Sequence, residues 1–141
     1  MLNLEAAQTI VRQALAHGRA GKFRPLSVVV LDARGVVTAA ATEDGASLKR
    51  FDIAFAKASG ALAFNVGSRK LGEMAVERPH FMAGAIHAVG GTLVPVAGGV
   101  LVRDAGGSVI GAVGVSGDNS DNDEAAALAG IVAAGLTGDG G

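Results

Sequence analysis

The chain has 141 residues and a mass of 13.9 kDa, the size of one domain with one core. It is 50% hydrophobic and 18% charged with a net charge of −1, which excludes a disordered chain and a global field for nucleic acid or anionic membrane. With no cysteine, disulfides, thiolate zinc sites, iron–sulfur clusters and Cys nucleophiles are excluded together.

Asn3 to about Ala20 reads as a helix. Asn3 is the N-cap, Glu5 suits the first turn, and Leu4, Ala7, Val11, Ala14, Leu15 and Gly18 share one apolar face. Gly21 is placed to end it. The acid at Glu5 and the lack of a basic segment before an apolar one show no targeting signal, and no run reaches ~18 apolar residues. The expectation is a cytoplasmic domain with no membrane and no nucleic-acid partner.

Leu26–Leu31 is rich in valine and reads as a buried strand, Asp32–Gly35 as a turn, and Val36–Ala41 as the returning strand of a hairpin. Ser47 to Asn65 is helical in period. It carries Leu48, Phe51, Phe55, Ala58 and Leu62 on one face and Ile53, Gly60 and Phe64 on the other, with Lys57 beside Phe64. A helix apolar on two sides is sandwiched between layers or between subunits. A short helix follows from Ser68 to about Val76, limited by Pro79. His80–Gly91 is consistent with either a loop or a helix.

Leu93–Val96 reads as an edge or irregular strand because of Pro95. Val100–Arg103 and Val109–Ser116 are strands, the second with glycines at 111 and 114 that call for very close packing. Asp121 to about Leu136 is a last helix, capped by Ser120 or Asp121, and residues 137–141 form a frayed tail. The order implies a single α/β (α+β-like) domain over residues 1–141, one sheet with helices packed on it, and not a doubly wound nucleotide fold.

Four features bear on chemistry. Gly111–Gly117 before a helix start resembles an anion site, but four acids in Asp118–Glu124 oppose phosphate, and tight strand packing accounts for the glycines. The acidic run lacks the glycine and the final glutamate of a calcium loop, and helix capping explains it more simply. His17, His80 and His87 show no metal-binding spacing. Lys57 and Arg50 lie seven residues apart near Phe64 and Ile53, where two cations beside apolar groups would hold a ligand carboxylate; an ion pair or a snorkelling lysine is the alternative.

Taken in order, Leu26–Gly35, Glu43–Ala46, Ile53–Ala58 and Gly107–Gly117, followed by Asp123 and Glu124, resemble the GlcG/HbpS family, which includes the C-terminal domain of PduO-type proteins. The resemblance implies a mainly antiparallel five-stranded sheet flanked by helices and a homo-oligomer, a dimer or a higher even number. It also implies haem as a cofactor in some members. Thr42 stands where members often carry arginine, and no Tyr or Cys is present to ligate iron. His17 is then the candidate iron ligand, because a helix would hold it rigidly.

Three readings of function follow. The first is a small oligomeric binder of haem or a related carboxylated ligand, with Lys57, Arg50, Phe64, Asp44, Gly114 and Ser116 around the ligand. The second is an accessory enzyme on a small organic acid or carbonyl compound, with Lys57, Asp44 and Asp123 as candidate catalytic residues. The third is an assembly subunit with no ligand.

Overall fold

Helix α1 spans Leu4–Ala20 in the computed structural model, which describes residues 1–141. The Asn3 side chain accepts a hydrogen bond from the Ala6 N–H at 2.8 Å, satisfying a first-turn donor that the helix itself leaves free. Ala7, Ile10, Val11, Ala14 and Gly18 are its buried face, whereas Leu4, expected on that face, is 55% exposed.

Strands β1 (Ser27–Asp32) and β2 (Val37–Thr42) form the expected hairpin. The Asp32 carboxylate closes the turn by accepting from the Arg34 and Val36 N–H groups, and Gly35 takes the positive φ the turn requires. Helix α2 is Arg50–Phe64, ending at Asn65 in the left-handed conformation. Helix α3 is Ser68–Glu77 and α4 is Pro79–Ala88, so the undecided segment after Pro79 is helical. Proline at the first helical position starts α4 at no hydrogen-bond cost, while it prevents α3 from running on. Strands β3 (Gly99–Arg103) and β4 (Val109–Ser116), helix α5 (Ser120–Ala133) and strand β5 (Thr137–Asp139) complete the chain. Asn119, rather than Ser120 or Asp121, caps α5 by accepting from the Asn122 N–H at 2.8 Å.

The five strands form one antiparallel sheet in the order β2-β1-β4-β3-β5. Side chains alternate between its faces. Val28, Val30, Val100, Val102, Val113 and Val115 pack with α1 and α5 on one side, and Val29, Leu31, Leu101 and Ala112 pack with α2 on the other. A third, smaller cluster of Leu71, Met82 and Leu93 joins α3 to α4 at the margin. No helix is long and apolar enough to cross a membrane.

Two further expectations change. Leu93–Val96 is not a strand: Leu93 is turned into the marginal cluster and Pro95 interrupts pairing. The fifth strand lies instead in the tail expected to fray. Thr137–Asp139 pairs with the free edge of β3, and Arg103 holds the Asp139 carboxylate at 3.0 Å. The glycines of β4 serve packing: a Cβ at Gly114 would collide with the Ala54 carbonyl oxygen of α2.

Candidate functional site

One end of the sheet gathers most of the sequence-predicted polar residues. Ser27 of β1 pairs in register with Thr42 of β2 on one side and Ser116 of β4 on the other. The Ser27 and Thr42 hydroxyls share a hydrogen bond of 2.8 Å. Arg50, the first residue of α2, donates to the Ser47 hydroxyl at 3.0 Å and to the buried Ser116 hydroxyl at 3.2 Å. A guanidinium carries five N–H donors, so three remain for a ligand.

Two turns down α2, Lys57 is 2% exposed. Its ammonium donates to the Val115 carbonyl at 2.9 Å and to the Asp123 carboxylate at 3.1 Å. Asp123, equally buried at the start of α5, accepts from the Asp118 N–H at 2.9 Å through its other oxygen. Gly98, at positive φ, makes room: a Cβ there would stand 2.8 Å from the Lys57 nitrogen. Burial pulls the Lys57 ammonium below its ordinary pKa and pushes the Asp123 carboxyl above its own, and each is opposed by the other's charge. The pair ties helices on opposite faces of the sheet together, and neither group faces solvent.

Asp44 lies at the same end of the sheet but in a separate, polar cleft with Arg19, Pro25, Thr42 and Glu43. Glu43 is committed there, accepting from the Leu26 N–H and paired with Arg19, both at 2.8 Å. Pro25 stands between the two turns: it is the nearest neighbour of a Cβ built at Gly45, and its carbonyl blocks one at Gly117. Gly114 is covered by α2. The Gly111–Gly117 segment therefore follows the packing explanation, and the helix start beyond it is filled by its own acids: Asp118 accepts from the Arg24 and Asn119 N–H groups, both at 2.7 Å. Those bonds hold the Asp118 carboxyl below its ordinary pKa.

Phe64 is not brought to Lys57. It lies seven residues on, about 10 Å along the helix axis, and lines an apolar groove of about 380 Å³ with His80, Phe81, Gly84, Ala85 and Ala88. His17 is exposed in the last turn of α1, its ring edge-on to Phe23 with centroids 5.7 Å apart. His80 and His87 are exposed at the two ends of α4. No three His, Asp or Glu side chains cluster to hold a bare metal ion. An iron porphyrin brings four nitrogens of its own and asks the protein for only one or two axial ligands; an exposed imidazole without a hydrogen-bond partner fits that need.

Sequence reasoning did not anticipate the Arg69 bridge, in which the guanidinium holds Asp121 at 2.6 Å and Glu124 at 3.1 Å and so joins α3 to α5. It also missed the α4 groove, whose signal was the small residues at 84, 85 and 88 in helical step with His80 and Phe81.

Residues 2–132 match the family described as haem degrading protein HbpS-like. Among solved structures, HbpS of Streptomyces reticuli, as a double mutant, is 30% identical, with 93% of this chain and 85% of that one covered at a TM-score of 0.79. PduOC, solved in complex with haem, shares the fold at 24% identity, with 94% of each chain covered and a TM-score of 0.84. The Klebsiella pneumoniae protein ORFY shares it at 23% identity, with coverage of 94% and 90% and a TM-score of 0.83. No curated protein matches the chain.

Proposed function

The chain belongs to the HbpS-like family of haem-degrading proteins, and from that premise we propose that it is a haem-binding protein that works as a homo-oligomer. His17 would supply an imidazole to hold the iron. The observation that carries this assignment is an exposed ring without a hydrogen-bond partner, backed edge-on by Phe23, at the end of a 17-residue helix. Bound haem would supply a redox-active iron. The chain's own work would be to present the His17 imidazole, packed edge-on against Phe23, and to meet the carboxylates. Arg50, with donors left over beside Ser116, is the cation for a carboxylate. Asp44, in its separate cleft, is given no part in this site. Lys57 and Asp123 are assigned to holding the fold, since their charges are spent on each other.

Assembly is supported by the start of α2, where Phe51 and Phe55 stack at 6.2 Å, and by Leu48 in the turn before it, which is 89% exposed. A second copy laid there would cover these rings. Light scattering after size exclusion is expected to give an even-numbered oligomer at micromolar concentration, and a monomer there would remove this part of the reading.

The test of ligand binding is a haemin titration of the purified chain followed by absorption. A saturable Soret shift in the wild type that is lost in His17→Ala supports the assignment. An unsaturable, featureless spectrum in the wild type overturns haem binding, and an unchanged shift in His17→Ala overturns the ligand alone.

A further inference from the structure

Helix α4 is set apart from the rest of the molecule in both composition and packing. It contains no Asp, Glu, Lys or Arg, yet seven of its ten residues are exposed: Pro79, His80, Phe81, Ala83, Gly84, His87 and Ala88. It packs chiefly on α3 through the small marginal cluster and not on the sheet. An exposed helix without charge leaves apolar surface in water that a soluble domain would otherwise bury.

That surface is concave. Phe64 from the end of α2 and Phe81 supply aromatic lining, Gly84, Ala85 and Ala88 supply small side chains, and His80 is the one titratable group of the lining. A Cβ at Gly84 would meet nothing within 4 Å, so the glycine is not there to admit another part of the chain. The volume of about 380 Å³ lies toward the low end of small-molecule sites, which run about 300–1,000 Å³. It suits a ring with a short chain better than a macrocycle.

The charge that would select such a ligand stands beside it. Arg78, in the break between α3 and α4, lies over the Phe81 ring at 4.2 Å from its centroid. Its side chain makes no hydrogen bond and no ion pair with the rest of the chain, whereas Arg19, Arg34, Arg69 and Arg103 each hold a carboxylate. Glu77, its neighbour in sequence, makes no ion pair with it. A cation stacked on an aromatic ring keeps its edge donors free for a carboxylate.

We propose that the α4 groove binds a small arylalkyl carboxylate, its ring between Phe64 and Phe81 over Gly84 and its carboxylate on Arg78 with His80 alongside. This site stands apart from His17 and does not depend on haem binding.

The test uses the full chain labelled with ¹⁵N and titrated with 4-phenylbutyrate as probe, with 4-phenylbutyramide as its uncharged counterpart. Saturable amide shifts confined to Phe64 and to residues 78–88 are expected, with the acid bound more tightly than the amide. Arg78→Gln should weaken the acid about tenfold, the loss of one charge-assisted hydrogen bond, and leave the amide unchanged. Gly84→Leu, which fills the groove from an exposed helical position that tolerates a side chain, should abolish both. Equal affinity for acid and amide overturns the carboxylate assignment. Shifts elsewhere, or none, overturn the site. Shifts at these residues that appear on concentrating the protein without probe mean that a second copy occupies the groove, and these also overturn it.

Discussion

Replacing Lys57 by methionine tests whether the buried pair holds the two helix layers together. Methionine keeps the length of the apolar stem and removes the ammonium. Asp123, 2% exposed, then loses its charge partner and keeps only the Asp118 N–H at 2.9 Å. An uncompensated buried carboxylate costs about 3–5 kcal/mol, a large part of the roughly 5–15 kcal/mol that holds a domain folded. With an m-value of about 2 kcal/mol/M in urea, the midpoint should fall by about 1.5–2.5 M. The chain has no Trp or Tyr, so unfolding is followed by far-UV circular dichroism. Lys57→Met/Asp123→Asn removes both charges and keeps an acceptor for the Asp118 N–H. It should recover at least about 2 kcal/mol of the single variant's loss, since removing a buried pair whole costs less than breaking it. The pH dependence adds a second check. Without Lys57, the Asp118 N–H alone is left to oppose burial, which raises the folded pKa of Asp123 further above the unfolded value, so the folded variant takes up a proton more readily. The variant's deficit should therefore shrink as pH falls from 7 toward the ordinary carboxylate range. A loss under about 1 kcal/mol for Lys57→Met, or a double variant as unstable as the sum of the singles, would refute the reasoning.

Gly114→Ala places a Cβ against the Ala54 carbonyl oxygen where α2 crosses β4. It should destabilise by about 1–3 kcal/mol or more through overpacking, read as a lower urea midpoint, whereas Gly84→Ala on the open face of α4 should leave the midpoint the same or higher. Asp118, bonded to the Arg24 and Asn119 N–H groups, has its folded pKa lowered from 3.8. The stability it contributes is present above the unfolded value and is lost as pH falls through the lower folded value. Asp118→Asn should therefore lower the midpoint at pH 7 and flatten the acid limb of the stability–pH curve below about pH 4; an acid limb of unchanged steepness would show that Asp118 does not contribute to it.

The local layers of this protein are legible in its residues. Asn3 and the spacing from Ala7 to Gly18 specify a capped amphipathic helix, the Leu26–Leu31 run and the Asp32–Gly35 turn specify a hairpin, and the glycines at 111 and 114 announce a close crossing. Each of these rests on interactions within a few residues or on a periodicity that any neighbour would satisfy. The motif order also carried the family resemblance, because it samples nearly the whole chain. What the tertiary structure decided depends on partners distant in sequence. Lys57 is seven residues from Arg50 and Phe64 alike, yet its ammonium goes to Asp123, 66 positions away, because the bare Gly98 just before β3 leaves it room to reach past the sheet to α5. Phe64 turns from the lysine to α4 for the same reason: its direction is set by which helix fills the space beyond the end of α2. Thr137–Asp139 has no strand pattern of its own. It is a strand because β3 presents an unpaired edge and Arg103 a charge, and a free row of backbone donors and acceptors is a property of the assembled sheet.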